Sequence, residues 1–455
     1  MESFAKIIST IDGFIWGWPL LIMLLGTHIF LTFRLRFIQR YIGKAIKLSV
    51  TKDDYGSGDV SQFSALATAL AATIGTGNIV GVATAVALGG PGAVLWTWLT
   101  GVFGIATKYA EGLLAVKYRV KTSDGTMAGG PMYVLEYGMK KKWLGVLFAL
   151  FASLAAFGIG CMVQANSIAV MVNETFKIPT YITGIIMAVL TAVVILGGIK
   201  NIAKVCDILV PFMAGFYVLG CIILLIMGYK TIPATIALIF KSAFTGQAAF
   251  GGFAGSTLMM AMRYGVSRGL FSNESGLGSA PIVAAAAQTR NPVKQALVSA
   301  TGTFWDTVVV CAMTGIVLVN SGKWAEGLKG AALTKAAFSQ IPVVGPIVLT
   351  IGLLTFVFST ILGWSYYGEK SIEYLLGKKA ILPYRVLWVI FVYLGSVFSL
   401  GLVWDLSDLA NGLMALPNLI ALIALSGVIV SETKKYLWDD NLEAISEESI
   451  PIREK

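Results

Sequence analysis

Histidine is nearly absent from this chain: His28 is the only one. Charge is scarce as well, with Asp, Glu, Lys and Arg together making up 13% of the residues. A lone histidine and the absence of GxSxG and HExxH patterns argue against an intramembrane enzyme. No GxxxxGK[ST] run occurs, so the chain is not itself an ATP-driven pump. The nearest approach to a nucleotide loop, Gly75-Thr76-Gly77-Asn78-Ile79-Val80-Gly81, has the wrong glycine spacing and no strand–helix–strand context. The cysteines Cys161, Cys206, Cys221 and Cys311 all fall in apolar runs. They read as small core residues and are silent about redox compartment. No basic stretch precedes the first apolar run, so no cleavable signal peptide is expected.

Apolar residues are what the chain has in abundance. They make up 56% of it, and the mean hydropathy is +0.79. Soluble domains run to roughly 45–50% apolar and about 25% charged. The sequence therefore describes one transmembrane domain over 1–455, embedded in a lipid bilayer. The net charge of +10 does not point to nucleic acid, because the lysines and arginines lie mostly in short loops.

With about 20 apolar residues per span, eleven segments are expected, near 14–33, 61–90, 92–117, 144–172, 180–199, 206–227, 247–288, 295–320, 345–375, 384–403 and 406–430. Residues 121–142 and 231–244 read as short interfacial stretches. The seventh segment is too long for one span, and its start (Gly246, Gly251, Gly252, Gly255) suggests an outer loop or re-entrant piece. Most of the 34 basic residues sit in loops after odd-numbered segments and in the tail 431–455. The positive-inside rule then puts the N-terminus outside and the C-terminus in the cytoplasm of a multi-pass cell-membrane protein.

Two segments are interrupted at matching places. The second reads Ala71-Ala72-Thr73-Ile74-Gly75-Thr76-Gly77-Asn78, and the seventh reads Phe271-Ser272-Asn273-Glu274-Ser275-Gly276-Leu277-Gly278. At mid-depth in a bilayer every freed N–H and C=O needs a partner in the protein or in a cavity. Paired broken helices in two halves are the best sequence pointer to a transporter's binding site. The breaks are five segments apart, and their segments start on opposite faces. Residues 61–227 and 247–430 then form two inverted five-helix repeats, with 14–33 as an added helix. No clear sequence identity links the halves.

The amides around Thr76 and Gly77 open the outer half-helix of the first break. Its partial positive charge suits a carboxylate, and Gly75 and Gly77 allow close approach. The alternative is plain helix packing by small residues. The carbonyls of Ala71 and Ile74 suit a cation, and a second cation site near Thr73 and Asn78 is a further option. Glu274 is the only acid within a break; it contacts substrate or ion, or ties down unwound backbone. Gln164, isolated in the fourth segment, reaches either substrate or broken backbone. Phe271 and Trp364 are candidate pocket walls, and Ser272, Asn273 and Gly276 complete the second break's contribution. Arg268 is placed as part of an outer gate with Asp405 or Asp408, or as a solvated vestibule charge. Lys108 and Glu111, three apart on one helix, are expected to pair. Trp96 and Trp98 are expected at an interface, and His28 has no evident partner.

The run Gly89-Gly90-Pro91-Gly92-Ala93-Val94-Leu95-Trp96-Thr97-Trp98-Leu99-Thr100-Gly101 resembles the signature of the alanine/glycine:cation symporter family. So do Ala72–Gly81 and Asn273–Pro281. Leu95 and Thr97 stand where the family usually has Phe and Met; both Trp positions are kept. The resemblance covers nearly the whole chain. It implies an all-α LeuT-type fold and cation-coupled uptake of small neutral amino acids such as alanine and glycine. It also implies a sodium ion held by Ala71, Ile74, Ser359 and Thr360. Na⁺ against H⁺ coupling stays open, as do oligomeric state and stereochemical preference. A passive channel is the competing class, although no pore-lining rings are readable.

Overall fold

The computed structural model describes residues 2–53, 55–245, 258–342, 344–398, 401–446 and 450–454. The glycine-rich stretch at the start of the seventh segment lies outside them. Among the described residues the chain is helical throughout, apart from a two-residue hairpin pairing Val120–Lys121 with Met127–Ala128 and isolated bridges.

A helix, or a broken pair, occupies each of the eleven apolar segments. Among the described residues, seven helical stretches are long and apolar enough to span a bilayer on those criteria alone: Lys6–Arg34, Lys142–Phe176, Gly198–Met227, Pro292–Asn320, Gly345–Leu376, Lys378–Val397 and Val403–Ala424. The pair Gln62–Thr73 and Gly77–Gly89, bent by 51°, makes an eighth. The other three segments hold Ala93–Lys117, Thr180–Ile195 and Leu258–Asn273. Ala93–Lys117 is buried along nearly its whole length, so its polar side chains face protein rather than lipid. The expected interfacial stretch 231–244 is a helix, Ile232–Thr245.

Helix Gln62–Thr73 starts at Ser61, whose hydroxyl accepts the Ser64 amide. It ends at Ile74, which turns extended (φ −76°, ψ 94°). The chain re-enters helix at Gly77 in a π-turn over Gly77–Gly81. Such wide turns inside helices frequently mark functional sites. The fourth and eighth segments are widened in the same way, over Ala156–Met162 and Phe304–Cys311.

The second break differs from the first. Leu258–Asn273 ends at Glu274, which takes φ 54°, and Gly276 and Gly278 follow at φ 89° and 86°. Left-handed values come without steric penalty only to glycine. Only the short helix Pro281–Ala284 follows. The chain then runs back along the loop before the second segment: the Asp59 amide donates to the Ala286 carbonyl at 2.8 Å and the Gln288 amide to the Val60 carbonyl at 2.7 Å. The part of the seventh segment after its break is thus a turn-rich strap, not a half-helix matching Gly77–Gly89.

Small residues set the spacing around the breaks. A Cβ on Gly363 would lie 2.7 Å from the Ala72 Cβ, so the ninth helix rests on the first break. A Cβ on Gly160 would lie 2.3 Å from the Trp364 Cβ, which packs the fourth segment onto the ninth. Dispersion at such close approach is a main source of helix association in lipid.

Candidate functional site

The two breaks meet face to face. A Cβ on Gly77 would lie 3.2 Å from the Ser272 Cα and 3.4 Å from the Phe271 Cδ1. Asn78 folds its side chain back over its own turn, Oδ1 accepting the Gly75 amide at 2.9 Å. Its Nδ2 donates to the Asp306 carboxylate at 2.7 Å. The other Asp306 oxygen accepts from the Ser272 hydroxyl at 3.0 Å and from Thr307 at 2.6 Å. One buried carboxylate of the eighth segment therefore joins both breaks. Its recorded hydrogen-bond partners are all neutral. Asp306 was missed by the sequence reading, although an acid inside an apolar segment is itself the signal to look for.

The second break is held by another acid that the sequence reading misassigned. Glu111 forms no ion pair with Lys108 among the described residues. Its Oε1 accepts the Gly276 amide at 3.0 Å, the Gly278 amide at 3.1 Å and the Asn418 Nδ2 at 2.7 Å. Asn418 also donates to the Gly276 carbonyl at 2.9 Å. Spacing along one helix puts Lys108 and Glu111 on neighbouring positions, but the freed amides of the break are the stronger claim on a buried carboxylate. Lys108 Nζ is buried with no hydrogen-bond partner. It lines a small cavity beside Thr73 and Asn273. His28, expected to be alone, is fully buried and shares a 2.8 Å hydrogen bond between Nδ1 and the Thr107 hydroxyl.

Glu274 is buried, with one oxygen on the Ser279 hydroxyl and the other accepting from Trp364 Nε1 at 3.0 Å. The Trp364 indole thereby ties the ninth helix to the second break. Asn273 accepts the Ser275 amide at 2.9 Å. Gln164 donates to the Ile159 carbonyl of its own widened turn at 3.0 Å, and its Oε1 is buried without a partner among the described residues. Trp96 Nε1 donates to the Ala243 carbonyl at 3.1 Å, so this ring is packed inward, while Trp98 is exposed.

Around the expected ion position, the Ser359 hydroxyl donates to the Ala71 carbonyl at 3.1 Å and to Phe356 at 2.8 Å. Thr360 Oγ1 donates to the Phe356 carbonyl at 3.0 Å, and a Cβ on Gly75 would lie 2.6 Å from it. The Ile74 amide bonds back to Leu70. Thr73 Oγ1 bonds back to Ala69 and Leu70, away from Asn78. The donor set near Ala71 is neutral oxygen, a ligand type that hard cations accept.

A cavity of about 710 Å³ reaches the first break from one face of the molecule. Thr76, Gly77 and Phe271 form part of its wall, together with Asn166, Thr334 and Trp404. The second half of the broken helix begins there without a side-chain cap. Thr76 and Gly77, at its start, line that space. Such an uncapped helix start is a ready anion site. Arg268 lines this cavity too; it forms no ion pair with Asp405 or Asp408 among the described residues.

The site is a broken helix packed against a long helix, with a cavity reaching the break. The arrangement is similar to a solved structure of MhsT in complex with L-phenylalanine, with a TM-score of 0.56 and 15% identity over 85% of this chain and 92% of that one. A manganese transporter of Eremococcus coleocola is similar at a TM-score of 0.53 and 12% identity, covering 84% and 82%. The chain is an all-helical membrane protein of LeuT-type fold. The family model described as the sodium:alanine symporter family matches residues 1–449. A Methanococcus maripaludis protein named sodium/alanine symporter AgcS is 53% identical over 445 residues, covering 95% of this chain and 97% of that one. A Haemophilus influenzae transporter is 55% identical over 436 residues, covering 95% and 96%. The protein belongs to the sodium:alanine symporter family.

Proposed function

We propose that this protein is a secondary symporter that imports alanine and glycine together with Na⁺. The observation that carries the reading is the uncapped helix start at Thr76–Gly77, open to the 710 Å³ cavity and walled by Phe271. The substrate carboxylate lies against the amides of Thr76 and Gly77. Phe271 and Trp364 bound the side-chain end, with Gln164 beside them and Ser272, Asn273, Glu274 and Gly276 shaping the opposite wall. Na⁺ sits between the carbonyls of Ala71 and Ile74 and the hydroxyls of Ser359 and Thr360. The Ser359–Ala71 contact at 3.1 Å supports this placement, since an ion entering there replaces a weak hydrogen bond. The name of the Methanococcus relative supports alanine and Na⁺.

Binding at the junction of two breaks couples ion and substrate, because each orders backbone that the other contacts. One five-helix half, 61–227, then moves against the other, 247–430, exposing the site first outside and then in the cytoplasm. The distribution of basic residues supports an N-terminus outside and a tail inside. Counterflow of labelled alanine into proteoliposomes, with Na⁺, K⁺ and pH varied separately, tests the reading. Exchange that needs Na⁺ at every pH supports it. Exchange that follows pH and ignores Na⁺ would replace sodium by a proton. The pocket's size is tested by competition: glycine and alanine compete, valine weakly, phenylalanine not at all. An extra methylene against a packed wall costs about 1–3 kcal/mol, roughly a tenfold to hundredfold loss.

A further inference from the structure

Lys108, on helix Ala93–Lys117, takes no part in the binding geometry proposed above. It is 4% exposed, and its Nζ is buried with no hydrogen-bond or ion-pair partner among the described residues. An ammonium without a partner is costly in a protein interior, so such a group calls for an explanation. It lines a cavity of about 10 Å³, room for about one water molecule. The walls are Ala69 and Thr73 of the first half-helix, Asn273 and Pro281 on either side of the second break, and Ser299 and Gly302 of the eighth segment. Thr73 is the last residue of Gln62–Thr73, and the carbonyl end of a helix favours a positive charge. Three buried carboxylates lie within electrostatic reach of the ammonium: Glu111 on its own helix, Glu274 at the second break and Asp306 on the eighth segment. His28 of the added helix is within reach as well. The three acids accept hydrogen bonds from neutral donors, and none forms an ion pair among the described residues.

We propose that Lys108 sets the ion count of the transport cycle: its ammonium is a tethered cation standing where a second coupled ion would otherwise be needed. An amino-acid zwitterion brings no net charge to the breaks, so the carboxylates there are balanced by cations alone. In a low-dielectric interior charges act on one another over many ångströms, and the ammonium offsets all three acids without touching one. A lysine paired with a single acid would serve that acid only; an unpaired Nζ between the first half-helix, the second break and the eighth segment serves the whole junction. The tethered charge stays behind when the cargo leaves. The charge carried per alanine is then that of one Na⁺.

The count in units of Na⁺ rests on the proposed sodium–alanine symport; the placement of the fixed cation rests on the cavity and its neighbours alone. The test measures labelled alanine binding to purified full-length protein across a range of Na⁺ concentrations, and the ratio of labelled Na⁺ to alanine entering proteoliposomes. Below saturation, one coupled ion makes alanine affinity fall about tenfold for a tenfold drop in Na⁺, and two make it fall about a hundredfold. The wild-type chain is expected to show the first, with one Na⁺ per alanine. Lys108→Ser removes the charge and leaves space and a hydroxyl, so a second Na⁺ takes the vacated place and both readouts move to two. Lys108→Arg keeps the charge and the wild-type count. A merely structural lysine would change affinity or yield and leave the count alone. Two Na⁺ per alanine in the wild type, or one in Lys108→Ser, overturns the role of Lys108 and leaves symport standing. A folded Lys108→Ser protein that binds no alanine at any Na⁺ concentration overturns it too. Should Lys108→Ser not fold, Lys108→Gln carries the same comparison. Alanine binding that ignores Na⁺ in the wild type overturns the symport reading and the ion count with it.

Discussion

Glu111→Ala should loosen the second break from a distance of 165 residues along the chain. The carboxylate accepts three hydrogen bonds, from the Gly276 and Gly278 amides and from Asn418, at 2.7–3.1 Å. Removing it leaves three buried donors, and each unsatisfied group costs about 1–3 kcal/mol. Water entering the space left by the side chain repairs part of that loss, and the unfavourable burial of a charge is lifted as well. The expected net destabilisation is about 3–5 kcal/mol. Glu111→Gln keeps an acceptor oxygen where the three donors converge, and the other oxygen has no partner to lose. It should cost only about 1–2 kcal/mol. Reversible unfolding of the purified protein in mixed micelles, followed by tryptophan fluorescence, measures both. Alanine and glutamine variants equal to each other within about 0.5 kcal/mol would refute the idea that the Glu111 oxygen holds the break.

Three further outcomes follow from the same geometry. Ser359→Ala combined with Thr360→Ala should raise the Na⁺ concentration needed for half-maximal alanine binding severalfold, because ion and substrate affinities fall together; an unchanged Na⁺ dependence places the ion elsewhere. Gly77→Val should abolish alanine binding at the break while the protein still purifies as a folded monodisperse species, since even a Cβ there would press on Ser272 at 3.2 Å; wild-type affinity would free the first break of its assigned role. In the loop before the second segment, burial alone would raise the Asp53 carboxyl, but hydrogen bonds from Arg290 and Lys294 outweigh it and hold the group below its usual 3.8. A folded value below the unfolded one adds stability that is complete above about pH 4 and is lost as acid takes the pH down through the folded value. Asp53→Asn should therefore destabilise the protein at pH 7 and make its stability flatter between about pH 5 and 2; a parallel shift at every pH would contradict this.

The helices were legible because lipid leaves so few options: long apolar runs must be helical, and their ends carry the basic residues. The first break was legible for the same reason, since Gly75, Gly77 and Asn78 interrupt an apolar run whose freed backbone groups need partners. The part of the seventh segment after its break misled. Its run Ala280–Ala287 is as apolar as a helix, but Gly276 and Gly278 at positive φ turn the chain, and it pairs with residues 57–60 instead. The polar residues inside the long helices were the hardest to read. Lys108 and Glu111 obey the spacing of a local pair, and only the fold brings the Gly276 and Gly278 amides to Glu111. Asp306 looks like an isolated acid in sequence, while its partners Asn78 and Ser272 lie 228 and 34 residues away. Local rules see neighbours on one helix; they do not see which backbone a break leaves unsatisfied.

Sodium-driven accumulation is the most direct measurement. Proteoliposomes loaded with K⁺ are diluted into Na⁺ buffer at equal pH, and labelled alanine inside is followed against time. A symporter built on the Ala71–Ser359 ion position predicts a transient internal alanine concentration well above the external one. It should decay as the gradient runs down and vanish when K⁺ replaces Na⁺ outside. Alanine that enters only to equal concentration, with or without the gradient, would contradict coupled transport.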